Sequence, residues 1–219
     1  MSDIASSIRQ LKQELPSTVT LVAVSKFKPV EAILEAYGAG QRDFGENRPQ
    51  ELAAKAKALP ADIRWHFIGH LQTNKVKLVV PCATMIHSVD SPRLLAEIDK
   101  AARSLGKTMD ILFEIHIAEE DTKQGYTPGE SLAQARGIGD FPGVRLRGVM
   151  GMATFTDDLT RVRREFQTLR DVSRQMQALI PGCDQISMGM SHDWPIAVEE
   201  GTTIVRIGTS IFGKRNYTK

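Results

Sequence analysis

Two hydrophobic patterns alternate along the whole chain. Short β-branched or apolar runs occupy 20–26 (TLVAVSK), 42–47 (RDFGEN), 64–70 (RWHFIGH), 84–90 (TMIHSVD), 110–118 (DILFEIHIA), 144–153 (VRLRGVMGMA), 185–191 (QISMGMS) and 203–213 (TIVRIGTSIFG). Each has the length and composition of a buried strand. Between them lie amphipathic stretches of helical period: VEAILEAYGAG behind Pro29, PQELAAKAKAL, SPRLLAEIDKAARSLG with Ser91 as an N-cap, and DDLTRVRREFQTLRDVSRQMQAL. Strands alternating with helices predict a parallel α/β sheet with right-handed crossovers, and eight strands are the count of a closed (β/α)8 TIM-type barrel. The 219 residues suit that fold without a large insertion, and no Pro/Gly/Ser-rich linker divides them, so one barrel domain over 1–219 is expected. A doubly wound open sheet is the alternative, but no G-x-G-x-x-G follows the first strand, where that fold places its phosphate turn.

Charge adds exclusions. Lys and Arg number 28 against 26 Asp and Glu, a net +2, which gives no electrostatic case for a nucleic-acid or anionic-membrane partner. The basic stretch RVRREFQTLRDVSRQ includes Glu165 and Asp171 and lacks an aromatic platform, so it reads as a solvated outer helix face. Asp3, Arg9, Lys12 and Glu14 interrupt the N-terminus, and no later run reaches membrane-spanning length, so a cytoplasmic location is expected. Cys82 and Cys183 have no metal-ligand spacing and are too few for a disulfide framework; reduced core thiols are expected.

Candidate chemistry belongs at the C-terminal ends of the strands, the catalytic face of such a barrel. Alternation puts Val22, Val24 and Lys26 on one side and Leu21, Ala23 and Ser25 on the other, so Lys26 points inward at the rim. By itself Lys26 leaves two readings open: an ammonium reaching past the mouth to solvent, as Lys28 is expected to do, or an amine made nucleophilic by partial burial, as a Schiff base with an aldehyde requires. The loops after strands seven and eight often hold phosphate in this fold, and there Ser191 and Thr209 offer hydroxyls while Gly208 lets backbone N–H groups come close. Arg206 shares its strand face with Gly208, and a guanidinium aimed into a barrel needs a partner. Glu46 or Glu114 could supply a carboxylate; the pyridine nitrogen of pyridoxal phosphate is the other answer. Lysine, phosphate donors and arginine at the ends of strands one, seven and eight bracket such a cofactor, which favours that reading over separate structural roles.

VAVSKFKP, FGENRPQE, WHFIGHLQTNK, SMGMS and VRIGTSIFG together resemble the YggS/PROSC-type pyridoxal phosphate homeostasis proteins, whose fold is similar to the N-terminal barrel of alanine racemase. The likeness runs from about Leu11 to Tyr217. It implies that Lys26 forms an internal aldimine with pyridoxal 5′-phosphate, that Asn47 lies near the ring, that Arg206 faces its nitrogen, and that Ser191, Gly208 and Thr209 hold its phosphate. Arg48, Pro49, Glu114 and His116 depart from the family's usual residues and bear on the surroundings of strands two and five. His66 and His70 share a strand face, but no third ligand is in reach by sequence, so no metal site is expected. His66, deeper in the strand, is grouped with the cofactor site through packing or a hydrogen bond.

Three functions follow. The first is a non-catalytic carrier that binds pyridoxal phosphate and contributes to intracellular vitamin B6 homeostasis, with pyridoxal-phosphate-dependent enzymes as candidate recipients and a monomer as the expected state. The second is an amino-acid racemase or related enzyme using the same lysine. The third is a cofactor-free Schiff-base aldolase, which the family resemblance argues against. By the same resemblance, racemisation needs a tyrosine from a separate β-domain opposite the lysine. This chain ends at Lys219, and of Tyr37, Tyr126 and Tyr217 only Tyr126, in the loop after strand five, falls on the expected face. Little or no racemisation is therefore expected.

Overall fold

A computed structural model describes residues 3–118 and 124–213. Its eight strands are β1 (Thr20–Val24), β2 (Asp43–Glu46), β3 (Arg64–Phe67), β4 (Met85–Val89), β5 (Met109–Glu114), β6 (Val144–Met150), β7 (Gln185–Ser187) and β8 (Ile204–Ile207). They follow one another in sequence order around a closed barrel, every pair parallel, with β1 sealed to β8 at Val22 opposite Arg206. This is the (β/α)8 architecture that the alternating pattern predicts.

Helices join the strands where the sequence signals them. Pro29 stands at the N-cap of the helix Val30–Gly38, Pro49 opens Pro49–Ala58, and the Ser91 hydroxyl accepts the Leu94 N–H at the start of Pro92–Ser104. Leu159–Leu179 is the long outer helix. Beyond the short helices Val76–Val79, Trp194–Glu199 and Thr209–Phe212, two longer ones were not among those read from the pattern. Ile4–Glu14 is capped by Asp3 and buries Ile8 and Leu11, and Pro128–Arg136 begins with a capping box between Thr127 and Glu130.

Several strands are shorter than the apolar runs that mark them. β1 ends at Val24, β7 at Ser187 and β8 at Ile207; Thr209–Phe212 is a single helical turn instead of strand. Of the apolar residues past those ends, Met188 and Ile211 are buried and Met190 and Phe212 half-buried. Apolarity marks burial there, not extended backbone.

Strand alternation sorts side chains into two layers. Phe44, Trp65, Phe67, Phe113 and Val205 pack outward beneath the helices. Val22, Met85, Leu112, Met150 and Ile204 fill part of the barrel's inside. Both cysteines are free thiols, and burial pushes Cys183 up to about 12. Among the described residues no helix is long and apolar enough to cross a membrane.

Candidate functional site at the barrel mouth

At the C-terminal ends of the strands lies a cavity of about 200 Å³ lined by Lys26, Ser191, Arg206, Gly208 and Thr209, together with Lys28. Residues from opposite ends of the chain meet there because β1 pairs with β8.

Lys26 sits two residues beyond β1, half-buried, in a turn closed by the Lys28 N–H on the Ser25 carbonyl at 3.0 Å. The turn forces Phe27 to φ 63°, a left-handed conformation costly for a bulky side chain. Its surroundings hold it there. The Phe27 N–H donates to Glu51 Oε1 at 2.8 Å, and the Arg48 guanidinium stacks 4.4 Å from the ring centroid. Beneath the turn, Lys55 Nζ donates to the Ser25 carbonyl (2.9 Å), Glu46 Oε1 (2.8 Å) and Glu51 Oε1 (2.6 Å), and the Ser25 hydroxyl also bonds Glu46. Glu46 and Lys55 are both buried; burial raises the Glu46 pKa, and Lys55 opposes that rise. The glutamate of FGEN therefore braces the lysine turn from behind.

Lys28 does not reach out to solvent as expected. Its ammonium donates to the Phe212 carbonyl at 2.7 Å, because the short helix Thr209–Phe212 leaves C-terminal carbonyls without partners close by.

Arg206 points into the barrel and is 4% exposed. Nη1 donates to the Ser187 carbonyl (2.8 Å) and hydroxyl (2.6 Å), and Nη2 to the Gly151 carbonyl (3.1 Å). Burial draws its pKa down to about 10, against the opposing charges of Asp193 and Glu114. Glu46 is not its counter-ion, since it lies on β2's outer face with Lys55. Glu114 is pushed up to about 7 by burial, then by Asp90, with Arg206 pulling the other way. Direct bonds from the guanidinium go to carbonyls and a hydroxyl.

Gly208 has a packing reason as well as a chemical one. A Cβ there would sit 3.2 Å from the Val24 carbonyl oxygen, a tight contact that glycine avoids where β8 closes against β1, and the first N–H groups of the following turn stay open.

Two expected site residues stand apart from the cavity lining. Asn47 is half-buried, and its Oδ1 has no hydrogen-bond partner among the described residues. It is crowded by Gly69, where a Cβ would come within 2.5 Å of the Asn47 carbonyl. His66 lies deeper, with Nδ1 2.8 Å from His87 Nε2 and Nε2 3.1 Å from Asp43 Oδ1. His70 faces Asp90 at 3.2 Å instead of sharing a site with His66, and among the described residues no three His, Cys, Asp or Glu side chains could hold a metal. Tyr126 bridges Ile115 just past the end of β5, at the expected end of the barrel, but its ring packs on Phe113, centroids 5.1 Å apart, in the layer beneath the helices and outside the cavity lining. Tyr217 lies outside the described residues. Sequence reasoning missed His87, Ser187 and Asp193; only the inward alternation of β4 and β7 pointed to the first two.

An amine, a buried guanidinium, two hydroxyls and a glycine-lined turn suit a molecule with an aldehyde, a ring acceptor and an anionic group.

The family profile described as "Alanine racemase, N-terminal domain" matches residues 1–216. A "Pyridoxal phosphate homeostasis protein" of Vibrio alginolyticus is 40% identical over 223 residues, covering 98% of this chain and 96% of that protein. The structure of PipY from Synechococcus elongatus PCC7942 without PLP superposes with a TM-score of 0.92 at 38% identity, covering 96% of this chain and all of that one. The same protein with PLP bound gives 0.88 at the same identity and coverage.

Proposed function

The chain belongs to the family of the alanine racemase N-terminal domain, and from that membership we propose that it binds pyridoxal 5′-phosphate and contributes to intracellular vitamin B6 homeostasis. The observation that carries the reading is the joining of Lys26, Arg206, Ser191, Gly208 and Thr209 in one cavity, in a chain similar to PipY, which has been solved with PLP bound.

When bound, the cofactor supplies an aldehyde that reacts reversibly with amines and an electron-withdrawing pyridine ring. Lys26 offers the amine, held at the rim by the braced turn 25–28. Arg206 presents a fixed donor to the ring nitrogen, its other N–H groups already committed to Ser187 and Gly151. Ser191, Thr209 and the backbone at Gly208 hold the phosphate, and Asn47 lies at the ring's side. His66 serves the site from below, through its neighbours.

We read the protein as a carrier acting as a monomer in the cytoplasm, with pyridoxal-phosphate-dependent enzymes as recipients. Tyr126, packed against Phe113, offers no second group opposite Lys26. Titration of cofactor-free protein with pyridoxal phosphate and with pyridoxal tests the reading. One equivalent of pyridoxal phosphate should bind with a visible absorbance band, at least about tenfold more tightly than pyridoxal, the difference that one charged hydrogen bond of roughly 1.5 kcal/mol makes. Equal affinity for both, or no band, would remove the proposed phosphate site.

A further inference from the structure

Below Arg206 the barrel's inside carries an unbroken line of polar side chains drawn from five strands. Ser187 Oγ lies 2.6 Å from Arg206 Nη1 and 2.9 Å from His87 Nδ1; His87 Nε2 lies 2.8 Å from His66 Nδ1; His66 Nε2 lies 3.1 Å from Asp43 Oδ1. Asp43 is in turn clasped by Arg64 through Nε (2.7 Å) and Nη2 (2.5 Å) at the opposite end of the barrel. Asp43 and Arg64 both line a second cavity, of about 340 Å³, at that end.

Donor and acceptor chemistry orients the line. Arginine can only donate, so Ser187 Oγ accepts from Arg206, and the Asp43 carboxylate can only accept at the other end. With each imidazole carrying one proton, His66 then donates from Nε2 to Asp43, His87 donates from Nε2 to His66 Nδ1, and Ser187 gives its own proton to His87 Nδ1. Every ring nitrogen is satisfied with both imidazoles neutral and in the same tautomer. The surrounding charges agree. Burial comes first, and together with the Arg206 cation it holds the His87 pKa well below the usual 6.5. Burial alone would raise Asp43, but the bonds from His66 and Arg64 bring it down to about 2 and keep it an acceptor. Arg206 itself faces Asp193 and Glu114 from the mouth side.

A structural explanation would require only that each buried polar group find some partner. It does not account for five polar side chains in contact one after another when apolar residues fill neighbouring inward positions at no desolvation cost. We propose that His66 and His87 are positioning residues for Arg206: with Ser187 they form one directed hydrogen-bond chain that fixes the guanidinium at the cofactor pocket and ties it to Asp43 at the far end of the barrel. This rests on the reading that Arg206 faces the cofactor ring. The chain presents Arg206 with a neutral hydroxyl in place of a carboxylate, so the guanidinium keeps its hydrogen-bonding strength for the mouth.

Two measurements on the full chain test the proposal. In cofactor-free protein labelled with ¹⁵N-histidine, ring-nitrogen shifts and two-bond couplings at neutral pH should show His66 and His87 both neutral with the proton on Nε2. A proton on His87 Nδ1, a charged ring, or averaging between tautomers would overturn the chain. In cofactor-loaded protein, Ser187→Ala cuts the chain beside Arg206, and Asp43→Asn removes the charge at its far end. Ser187→Ala should move the pH midpoint of the cofactor's absorbance by roughly half to one pH unit, the equivalent of one hydrogen bond, with a smaller shift in the same sense from Asp43→Asn. Unchanged midpoints in both variants would overturn the proposal. Arg206→Ala separates the two ideas. If it leaves the spectrum unaltered, the placement of Arg206 at the ring is wrong; if it alters the spectrum while the other two variants do not, only the chain is wrong.

Discussion

Two sets of side chains share the barrel's interior: the apolar Val22, Met85, Leu112, Met150 and Ile204, and the polar Asp43, His66, His87, Ser187 and Arg206. Both sets occupy inward strand positions, and β4 and β8 each supply one member to both, Met85 and His87 on the first, Ile204 and Arg206 on the second, two residues apart. The apolar set fills space and is indifferent to direction. The polar set has a donor and an acceptor at every link, so it has a direction and two ends. Backbone alternation decides which side chains face inward; their chemistry decides whether the barrel is packed or wired there.

The comparison breaks most visibly if the apolar side is emptied. Leu112→Ala should cost about 2 to 5 kcal/mol of stability by leaving a cavity in a fully buried place, while the absorbance of bound cofactor stays as it was. Urea unfolding and a visible spectrum of the same preparation check both halves; a spectral change would mean that the two materials are not separable.

Carboxylates at the two ends of the polar side should respond to pH in opposite senses. Glu114, near Arg206, has a folded pKa of about 7 against the usual 4.5, so the folded chain holds its proton more tightly. The stabilisation is complete below about pH 4.5 and fades as pH rises through 7, by roughly 3 kcal/mol in all. Asp43, drawn down to about 2 from 3.8, contributes stability that is present above pH 3.8 and is lost as pH falls toward 2. Denaturation midpoints at pH 5 and pH 8 should differ less in Glu114→Gln than in the unmodified chain. An equal difference would show that Glu114 titrates normally.

At the mouth, Ser191→Ala should weaken cofactor retention by about 1 to 3 kcal/mol, the worth of a hydrogen bond to a charged group, without changing the unfolding midpoint. The smallest effect belongs to Tyr126→Phe. Exchange of the α-proton of L- and D-alanine in deuterated water should be slow in cofactor-saturated protein and no different in the variant; rapid exchange that the variant abolishes would make Tyr126 a catalytic residue.

Much of this was legible in the sequence because alternation is a local property. The eight strands and their order could be read from runs such as TLVAV and IVRI, and the inward parity of Lys26 with Val22, and of Arg206 with Ile204, follows from counting by twos. The strand ends were not legible, since Met188 is as buried in a loop as it would be in a strand. Nothing in the sequence signals a positive φ at Phe27, which depends on Glu51 in the helix Pro49–Ala58 and on Arg48 at that helix's N-cap. The polar line was hidden for another reason. His87 is 21 residues from His66 and 100 from Ser187, and which inward side chains touch depends on the stagger of the closed barrel, a global quantity. Tyr126 lies at the end of the barrel expected for its loop, but the outward turn of its ring onto Phe113 was not legible, because alternation gives no direction to a side chain in a loop.

The most direct test of the account is to load the protein with pyridoxal phosphate, reduce it with borohydride and map the modified peptide by mass spectrometry. Lys26 and Lys28 line the same cavity, but Lys28 spends its protons on the Phe212 carbonyl, whereas Lys26 sits at the braced turn. The expected result is one label per chain, on Lys26. A label on Lys28, or one spread over surface lysines, would contradict the account.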